Sequence, residues 1–239
     1  MIYGVQVLHE DYEYRVSNDS MMRVADRLYC IVNHAEGFWR EAKQWELRQE
    51  YIDGVNSISR LHVPTESASA NDWIVCLDGD EQISDPDLLR KTLGSLYEDH
   101  VAVAMPFVNL WDEGCRYRHL ADGFVDYRIH CWRPRSWHKI DRTMSPSHSP
   151  NGITGEGRIY EFQLHECAVI HYGNRDKAER ERKIGERRAL DPNAKAWGVD
   201  FDTWLSSKYV EPIPHCLRHM VKDVKLAPKR FECSRLLQT

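Results

Sequence analysis

The sequence predicts an α/β fold with a mostly parallel central sheet, flanking helices and a C-terminal helical extension. Short apolar runs with strand-like patterns alternate with helical patterns in the first part of the chain, which is typical of parallel strands joined by crossover helices. The chain has 239 residues, enough for one α/β domain or two small ones. Apolar residues make up 42% and charged residues 29%, a balance that supplies a core and argues against wholesale disorder.

Apolar patterning defines the individual elements. Each predicted strand is an apolar run bounded by polar or turn-forming residues, and each predicted helix has apolar residues spaced three or four apart. The predicted strands are 2–8, 28–32, 58–63, 73–77, 101–110, 127–132 and 168–172. The predicted helices are 17–25, with caps among residues 17–20, then 38–51, 84–96 with Pro86 in its first turn, and 174–190.

A change in character near residue 174 predicts the domain organisation. The helix 174–190 is heavily charged and offers few core positions, which is typical of a solvated face. The tail beyond it mixes aromatic residues with proline and basic residues. We therefore expect an α/β domain over 1–173, and a charged helix with an aromatic and basic extension packed on it over 174–239.

Net charge and the number and spacing of the cysteines limit which partners and which cellular compartment we expect. A net charge of −5 argues against a general nucleic-acid binder, although nucleic acid can still be a substrate at a local basic patch. The seven cysteines are odd in number and form no CxxC pair, so we expect reduced thiols in a cytoplasmic protein. We also expect no membrane span and no signal peptide, because no apolar run approaches the required length.

An acidic cluster follows the apolar run 73–77. Asp78 and Asp80 stand two residues apart, and on an extended backbone such side chains point to the same side. Gly79 between them allows close approach of a ligand. Oxygen ligands of this kind suit Mg²⁺ or Mn²⁺, which can bridge the phosphates of a nucleotide diphosphate and stabilise it as a leaving group. The alternative is a polar loop whose aspartates cap the next helix.

Three segments resemble family 2 glycosyltransferases and their relatives of the GT-A fold. NDWIVCLDGDEQISDPDLL is similar to that family's strand, its Asp-x-Asp motif and the helix that follows. GVQVLHED is similar to the family's first strand, with His9-Glu10 where the family has a polar pair. AVIHYGNRDKAERERK resembles the family's late His-x-Gly segment and charged helix. Asn33-His34-Ala35-Glu36 departs from the family's early Asp-x-x-S-x-D segment, so the base of the donor is left open.

The resemblance implies a nucleotide-diphosphosugar donor and a set of site residues. Asp78 and Asp80 would hold the divalent metal and the diphosphate, and His171 would be a third metal ligand. Glu10 would lie near the nucleobase or ribose. The implied reaction is hexosyl transfer to an acceptor hydroxyl with inversion. The acceptor is open among a glycan, a lipid headgroup, a protein and a modified nucleic-acid base.

An inverting transfer requires a base that removes the proton of the acceptor hydroxyl. Carboxylates between the acidic cluster and His171 are the candidates, led by Asp122 and Glu156 and followed by Asp126 and Glu161. For each of them a surface salt bridge is the alternative. His171 itself has a structural alternative at the end of an apolar strand, and His165 is a weaker candidate ligand.

Other features support rival interpretations. Paired aspartates also serve nucleotidyltransferases, and the same fold can act as a non-catalytic sugar- or nucleic-acid-binding module. Basic and aromatic residues mix over 132–142, which suits phosphate, sugar or nucleic acid but also an exposed basic face beside partly buried tryptophans. The polar stretch 145–157 is a candidate lid or a plain loop. His215, Cys216 and His219 hint at zinc but lack a fourth ligand nearby.

Overall fold

The protein is an α/β structure built around one mixed sheet. The computed structural model describes residues 1–9, 15–33, 69–112, 115–117, 126–133, 139–140, 153–154, 157–190, 202, 205 and 210–218. The strands within these residues are β1 (Ile2–His9), β2 (Arg27–Asn33), β3 (Trp73–Asp78), β4 (Glu81–Ile83), β5 (His100–Asn109), β6 (Cys115–Tyr117), β7 (Asp126–Trp132), β8 (Lys139–Ile140), β9 (Ile153–Thr154), β10 (Arg158–Glu161), β11 (Val169–His171) and β12 (Val210–Pro212). The helices are α1 (Arg15–Val24), α2 (Pro86–Ser95), α3 (Lys177–Leu190) and a 3₁₀ helix (His215–Leu217).

The main sheet is mixed, whereas the sequence predicts a mostly parallel one. Its strand order is β2-β1-β3-β7-β5-β11-β4, with β10 also paired to β5. β1 pairs in parallel with β2 and β3, and β5 pairs in parallel with β10 and β11. β7 runs antiparallel between β3 and β5, and β4 runs antiparallel to β11 at the edge. The run 127–132 is confirmed as a strand, but its pattern carries no information about its direction.

The short connection between β3 and β4 requires the sheet to curl. Only Gly79 and Asp80 separate these strands, so their ends lie at most about 11 Å apart. In a flat sheet, the four strand spacings between β3 and β4 would place them about 19 Å apart. The curl therefore brings the end of β3 towards β11, the strand that carries His171.

Helix α2 forms where the sequence predicts it, whereas α1 begins earlier. Asp85 caps α2 by accepting a hydrogen bond from Leu88 N at 2.9 Å, and Pro86 opens the helix. Helix α1 begins at Arg15, so the serines predicted as caps lie inside it. Ser20 Oγ instead exchanges hydrogen bonds with the backbone of Ile83, at 3.3 and 3.2 Å, and thereby ties α1 to β4.

Two hydrophobic clusters cover the opposite faces of the sheet. Side chains from β5 alternate between them, because successive residues of a strand point to opposite faces. One cluster includes Val103 and Met105 and packs against helices α1 and α2. The other includes Val108 and Ile170 and packs against Ile213 of the C-terminal segment. Segment 210–217 therefore covers one face of the sheet, and β12 pairs with β6 beside it.

Helix α3 is held by a buried arginine. The predicted helix is observed over Lys177–Leu190, but Arg180 and Ile184 are each only 3% exposed. The Arg180 guanidinium lies 4.0 Å from the Trp111 ring and donates to the carbonyls of Asn174 and Arg175 at 2.6 and 2.9 Å. The expectation that this helix is simply a solvated face is therefore incomplete, because one of its charged residues packs against the loops that follow β5 and β11.

Arg133 is part of the core and does not belong to an exposed basic face. Its Nε donates to His100 O at 2.8 Å, and its Nη2 donates to Leu96 O at 3.3 Å. The guanidinium also lies 4.3 Å from the Trp73 ring, and the residue is 4% exposed. It joins loop carbonyls at the end of the sheet where β3 and β5 begin. Residues 134–138 and 141–142 of the predicted basic cluster lie outside the described residues.

The described part of the chain contains free thiols and no helix suited to span a membrane. Cys76, Cys131, Cys167 and Cys216 are free thiols; the first three are buried, and Cys216 is exposed. Burial raises the pKa of the Cys167 thiol to about 12. None of the described helices combines the length and the apolar character needed to cross a bilayer.

Replacing Arg133 by methionine is expected to lower the free energy of unfolding by about 3 kcal/mol, because buried carbonyls lose their donors. Urea denaturation measures the change. Arg158→Met is the matched control, since Arg158 is 69% exposed and pairs with Asp99 at 3.6 Å, a surface contact with a small contribution. Equal losses in the two variants would contradict the structural role of Arg133.

Asp26 is expected to make stability depend on pH. Partial burial disfavours its carboxylate, but hydrogen bonds from Arg90 and from Ile2 N outweigh burial and lower its pKa. A pKa lower in the folded state than in the unfolded state stabilises the protein above about pH 4, and this contribution is lost as pH falls through the lowered value. Asp26→Asn should therefore be less stable than wild type at pH 7, with a gap that closes below pH 4. A gap that is constant with pH in urea denaturation would contradict this.

Candidate functional site

The candidate site lies at the edge of the sheet where the parallel strands end. β3, β5 and β11 run in the same direction and finish at Asp78, Asn109 and His171. β4 starts at this edge with Glu81, directly opposite His171 in the antiparallel register. The carboxyl edge of parallel strands is where α/β sheets bind ligands, and the acidic cluster that follows the run 73–77 lies at this edge.

Asp80 and His171 meet at this edge. Asp80 Oδ2 lies 3.3 Å from His171 Nε2, and the two side chains are 19% and 15% exposed. Tyr172 N donates to Asp80 O at 2.8 Å, which fixes the backbones that carry the two side chains. Two residues that are 91 positions apart in the sequence are therefore held as a pair by β4 pairing with β11.

Asn109 selects the tautomer that a neutral His171 adopts. Its amide oxygen Oδ1 lies 2.6 Å from His171 Nδ1, and an amide oxygen can only accept, so Nδ1 donates. In the neutral imidazole, Nε2 is then the acceptor and its lone pair faces the Asp80 carboxylate. Two acceptors at 3.3 Å repel each other unless a proton or a metal cation lies between them. The geometry therefore creates a small site that attracts positive charge.

Gly173 is required at this site for space. A Cβ at this position would lie 2.2 Å from Asp80 Oδ2 and 2.8 Å from His171 Nε2. The φ angle of Gly173 lies outside the left-handed region, so its backbone conformation does not require glycine. The His-x-Gly pattern of the sequence thus has a steric cause, because only glycine leaves room beside the Asp80–His171 pair.

Asp78 and Asp80 differ in their surroundings. The chain turns at Gly79 and Asp80, so the expectation that both carboxylates face the same side of an extended strand does not apply. Asp78 is 8% exposed at the end of β3, and its backbone N donates to Glu81 Oε2 at 2.9 Å. Within the described ranges no group of three or more His, Cys, Asp or Glu residues that could hold a metal ion is found.

Several alternatives from the sequence are resolved. The next helix is capped by Asp85, so Asp78 and Asp80 are not its caps. Asp126 forms an ion pair with Arg128 at 2.8 Å, in line with the salt-bridge alternative for that carboxylate. His165, Glu161, His215 and Cys216 are exposed, and none joins a candidate metal cluster in the part that the structure describes. Glu10, Asp122, Glu156, His219 and most of 145–157 lie outside the described residues.

Four residues at the site have no role in the sequence prediction. They are Glu81, Asn109, His130 and Gly173. Asn109 had a usable signal, since it is a lone amide at the end of a ten-residue buried strand. His130 had none, because a histidine inside an apolar strand more often has a structural role than a functional one.

No protein-family model matches this chain, and no curated protein matches it.

Gly173→Ala is expected to lower the free energy of unfolding by about 1–3 kcal/mol, because the added methyl group must displace Asp80 or His171. The loss should be smaller in an Asp80→Ala background, where the obstructing carboxylate is gone. Denaturant unfolding of the four proteins of this cycle measures the coupling between the two positions.

Gly185→Ala is the matched control, since a Cβ at Gly185 of α3 meets nothing within 4 Å. It should stabilise the protein by about 0.5–1 kcal/mol, the usual gain for alanine in a helix. A Gly173→Ala variant as stable as wild type would refute the steric role.

Proposed function

We propose that this chain is a metal-dependent glycosyltransferase of the GT-A type, which moves a hexosyl group from a nucleotide-diphosphate donor to an acceptor hydroxyl with inversion. The observation that carries the proposal is the Asp80–His171 pair, two acceptor atoms 3.3 Å apart at the carboxyl edge of the sheet. The resemblance of the three sequence segments to family 2 glycosyltransferases supports it independently.

The residues at the pair fit Mg²⁺ or Mn²⁺. Two neighbouring ligand atoms bound to one octahedral ion at about 2.1 Å each are about 3.0 Å apart, close to the observed spacing. A carboxylate and a neutral imidazole are suitable ligands, particularly for Mn²⁺. Two protein ligands are enough, because such ions in phosphate-binding sites take their remaining ligands from substrate phosphates and water. When bound, the cation would neutralise charge on the departing diphosphate.

Each residue of the site then has a defined task. Asp80 and His171 would hold the cation, Asn109 selects the neutral tautomer of His171 whose Nε2 can act as a ligand, and Gly173 leaves the space. By the resemblance, Asp78 at the end of β3 would be a further ligand, although the described residues do not group it with Asp80 and His171 around one ion. The low exposure of the pair limits water around it and strengthens its attraction for a cation.

The remaining assignments rest on the sequence. Asp122 and Glu156 are the leading candidates for the base that deprotonates the acceptor, and Glu10 for a contact with the nucleoside. The acceptor belongs to one of four classes: a glycan, a lipid headgroup, a protein or a modified nucleic-acid base. The free thiols Cys76, Cys131, Cys167 and Cys216 suit a reducing, cytoplasmic setting.

A panel of UDP-, GDP-, CMP- and dTDP-sugars with Mn²⁺ tests the proposal, with nucleotide release and thermal shift as readouts. We expect wild type to release nucleotide from one donor type. The double variant Asp78→Asn plus Asp80→Asn should release it at least about 100-fold more slowly, because the metal ligands are gone. The double variant Asp87→Asn plus Asp99→Asn is the control. It removes the same charge from side chains that are 69% and 54% exposed.

An unchanged response in the Asp78 and Asp80 double variant would refute the proposal. Pyrophosphate release from a nucleoside triphosphate and a sugar phosphate would instead identify a nucleotidyltransferase. Donor binding without consumption in the presence of every acceptor class would identify a non-catalytic binding module.

A further inference from the structure

The backbone of β3 leaves its neighbour β7 just before the candidate site. The two strands pair only at Ile74 and Val75, and both strands lie entirely within the described residues. In an extended strand, the carbonyl of one residue and the N–H of the residue two positions later point to the same neighbour. Cys76 O and Asp78 N therefore both point to the side from which β7 has diverged, and they need other partners.

Two buried side chains supply those partners. His130 Nδ1, on β7, donates to Cys76 O at 3.1 Å, and the residue is 0% exposed. Glu81 Oε2 accepts from Asp78 N at 2.9 Å, and the residue is 2% exposed. The two side chains also approach each other, with His130 Nδ1 3.9 Å from Glu81 Oε2. The Phe107 ring stacks on His130 at 5.9 Å and 8°, which fixes the plane of the imidazole.

The bond from Asp78 N to Glu81 closes a short loop around Gly79 and Asp80. Glu81 is also the residue of β4 that stands opposite His171 in the register. The same residue therefore holds the loop by its side chain and joins it to the strand of His171 by its backbone. The position of the Asp80 carboxylate relative to His171 depends on both connections.

We infer that Glu81 is a positioning residue, whose buried carboxylate, supported by His130, holds the 78–81 turn so that Asp80 faces His171. The inference rests on the proposed function, because it concerns the cation that Asp80 and His171 are proposed to bind. Glu81 does not itself touch the cation in this account. It acts through the Asp78 backbone, so the length of its side chain matters more than its charge.

Mn²⁺ binding by the full chain, followed by electron paramagnetic resonance of the free ion, tests this inference. Glu81→Asp keeps the charge but shortens the reach to Asp78 N, and we expect Mn²⁺ to bind about 10- to 100-fold more weakly. Glu81→Gln keeps an oxygen that can accept the same bond, and we expect it to retain most of the affinity. A role in folding alone would lower the thermal stability of the variants without this order of affinities.

Glu166→Ala is the matched control. Glu166 Oε2 accepts from Gln163 N at 2.8 Å, the same three-residue arrangement outside the site. Its Mn²⁺ affinity should equal that of wild type. Equal affinities in Glu81→Asp and Glu81→Gln, or the reverse order, would overturn the inference.

Hydrogen exchange of the Asp78 amide, measured by NMR without metal, separates this inference from the proposed function. The protection of this amide from exchange should be the same in Glu81→Gln as in wild type, and it should be lower in Glu81→Asp. If protection follows this pattern but wild type binds no Mn²⁺, the proposed function fails while the hold on the turn stands. If wild type binds Mn²⁺ and the Asp78 amide is equally protected in all variants, the inference fails and the proposed function stands.

Discussion

The central feature of this molecule is a carboxylate oxygen and an imidazole nitrogen that face each other. Asp80 Oδ2 and His171 Nε2 lie 3.3 Å apart, and Asn109 holds the other imidazole nitrogen as the donor. When His171 is neutral both atoms are acceptors, and a proton or a metal cation between them removes their repulsion. Gly173 packs against the pair, and Tyr172 N fixes the Asp80 backbone. The fold thus keeps in place an interaction that a proton or a metal ion must complete.

The curl of the sheet makes this pair possible. A two-residue link joins β3 to β4, yet β4 pairs with β11 and lies four positions away from β3 in the sheet. The turn at Gly79 and Asp80 must therefore connect the end of β3 to the start of β4 across the carboxyl edge of the sheet. Glu81 and His130 bond to the β3 backbone where β7 has diverged, and the backbone bond from Tyr172 N to Asp80 O also holds the turn. Local chain length, strand order and buried hydrogen bonds act together on the placement of Asp80.

The sequence predicts the elements of this structure better than their arrangement. The strands that correspond to the runs 2–8, 73–77 and 101–110, and the capped helix α2, follow from apolar patterning and local caps. The antiparallel direction of β7 does not, because it depends on pairing with strands that are distant in sequence. The burial of Arg133 could not be predicted from its polar character for the same reason, because the carbonyls that accept its hydrogen bonds come from other segments of the chain.

The residues of the site can be predicted to different extents. Asp80 and His171 are candidates from motif and position, but their approach depends on the curl of the sheet and on β4 pairing with β11. Asn109 and His130 act through contacts with residues distant in sequence, whereas Glu81 bonds to Asp78 N only three residues away. Pulsed electron paramagnetic resonance of bound Mn²⁺ tests the shared cation most directly. We predict a nitrogen coupling from a directly bound imidazole in wild type and in the exposed-site variant His165→Gln, and its loss in His171→Gln. Bound Mn²⁺ without nitrogen coupling in wild type, or a coupling that survives in His171→Gln, would contradict the account.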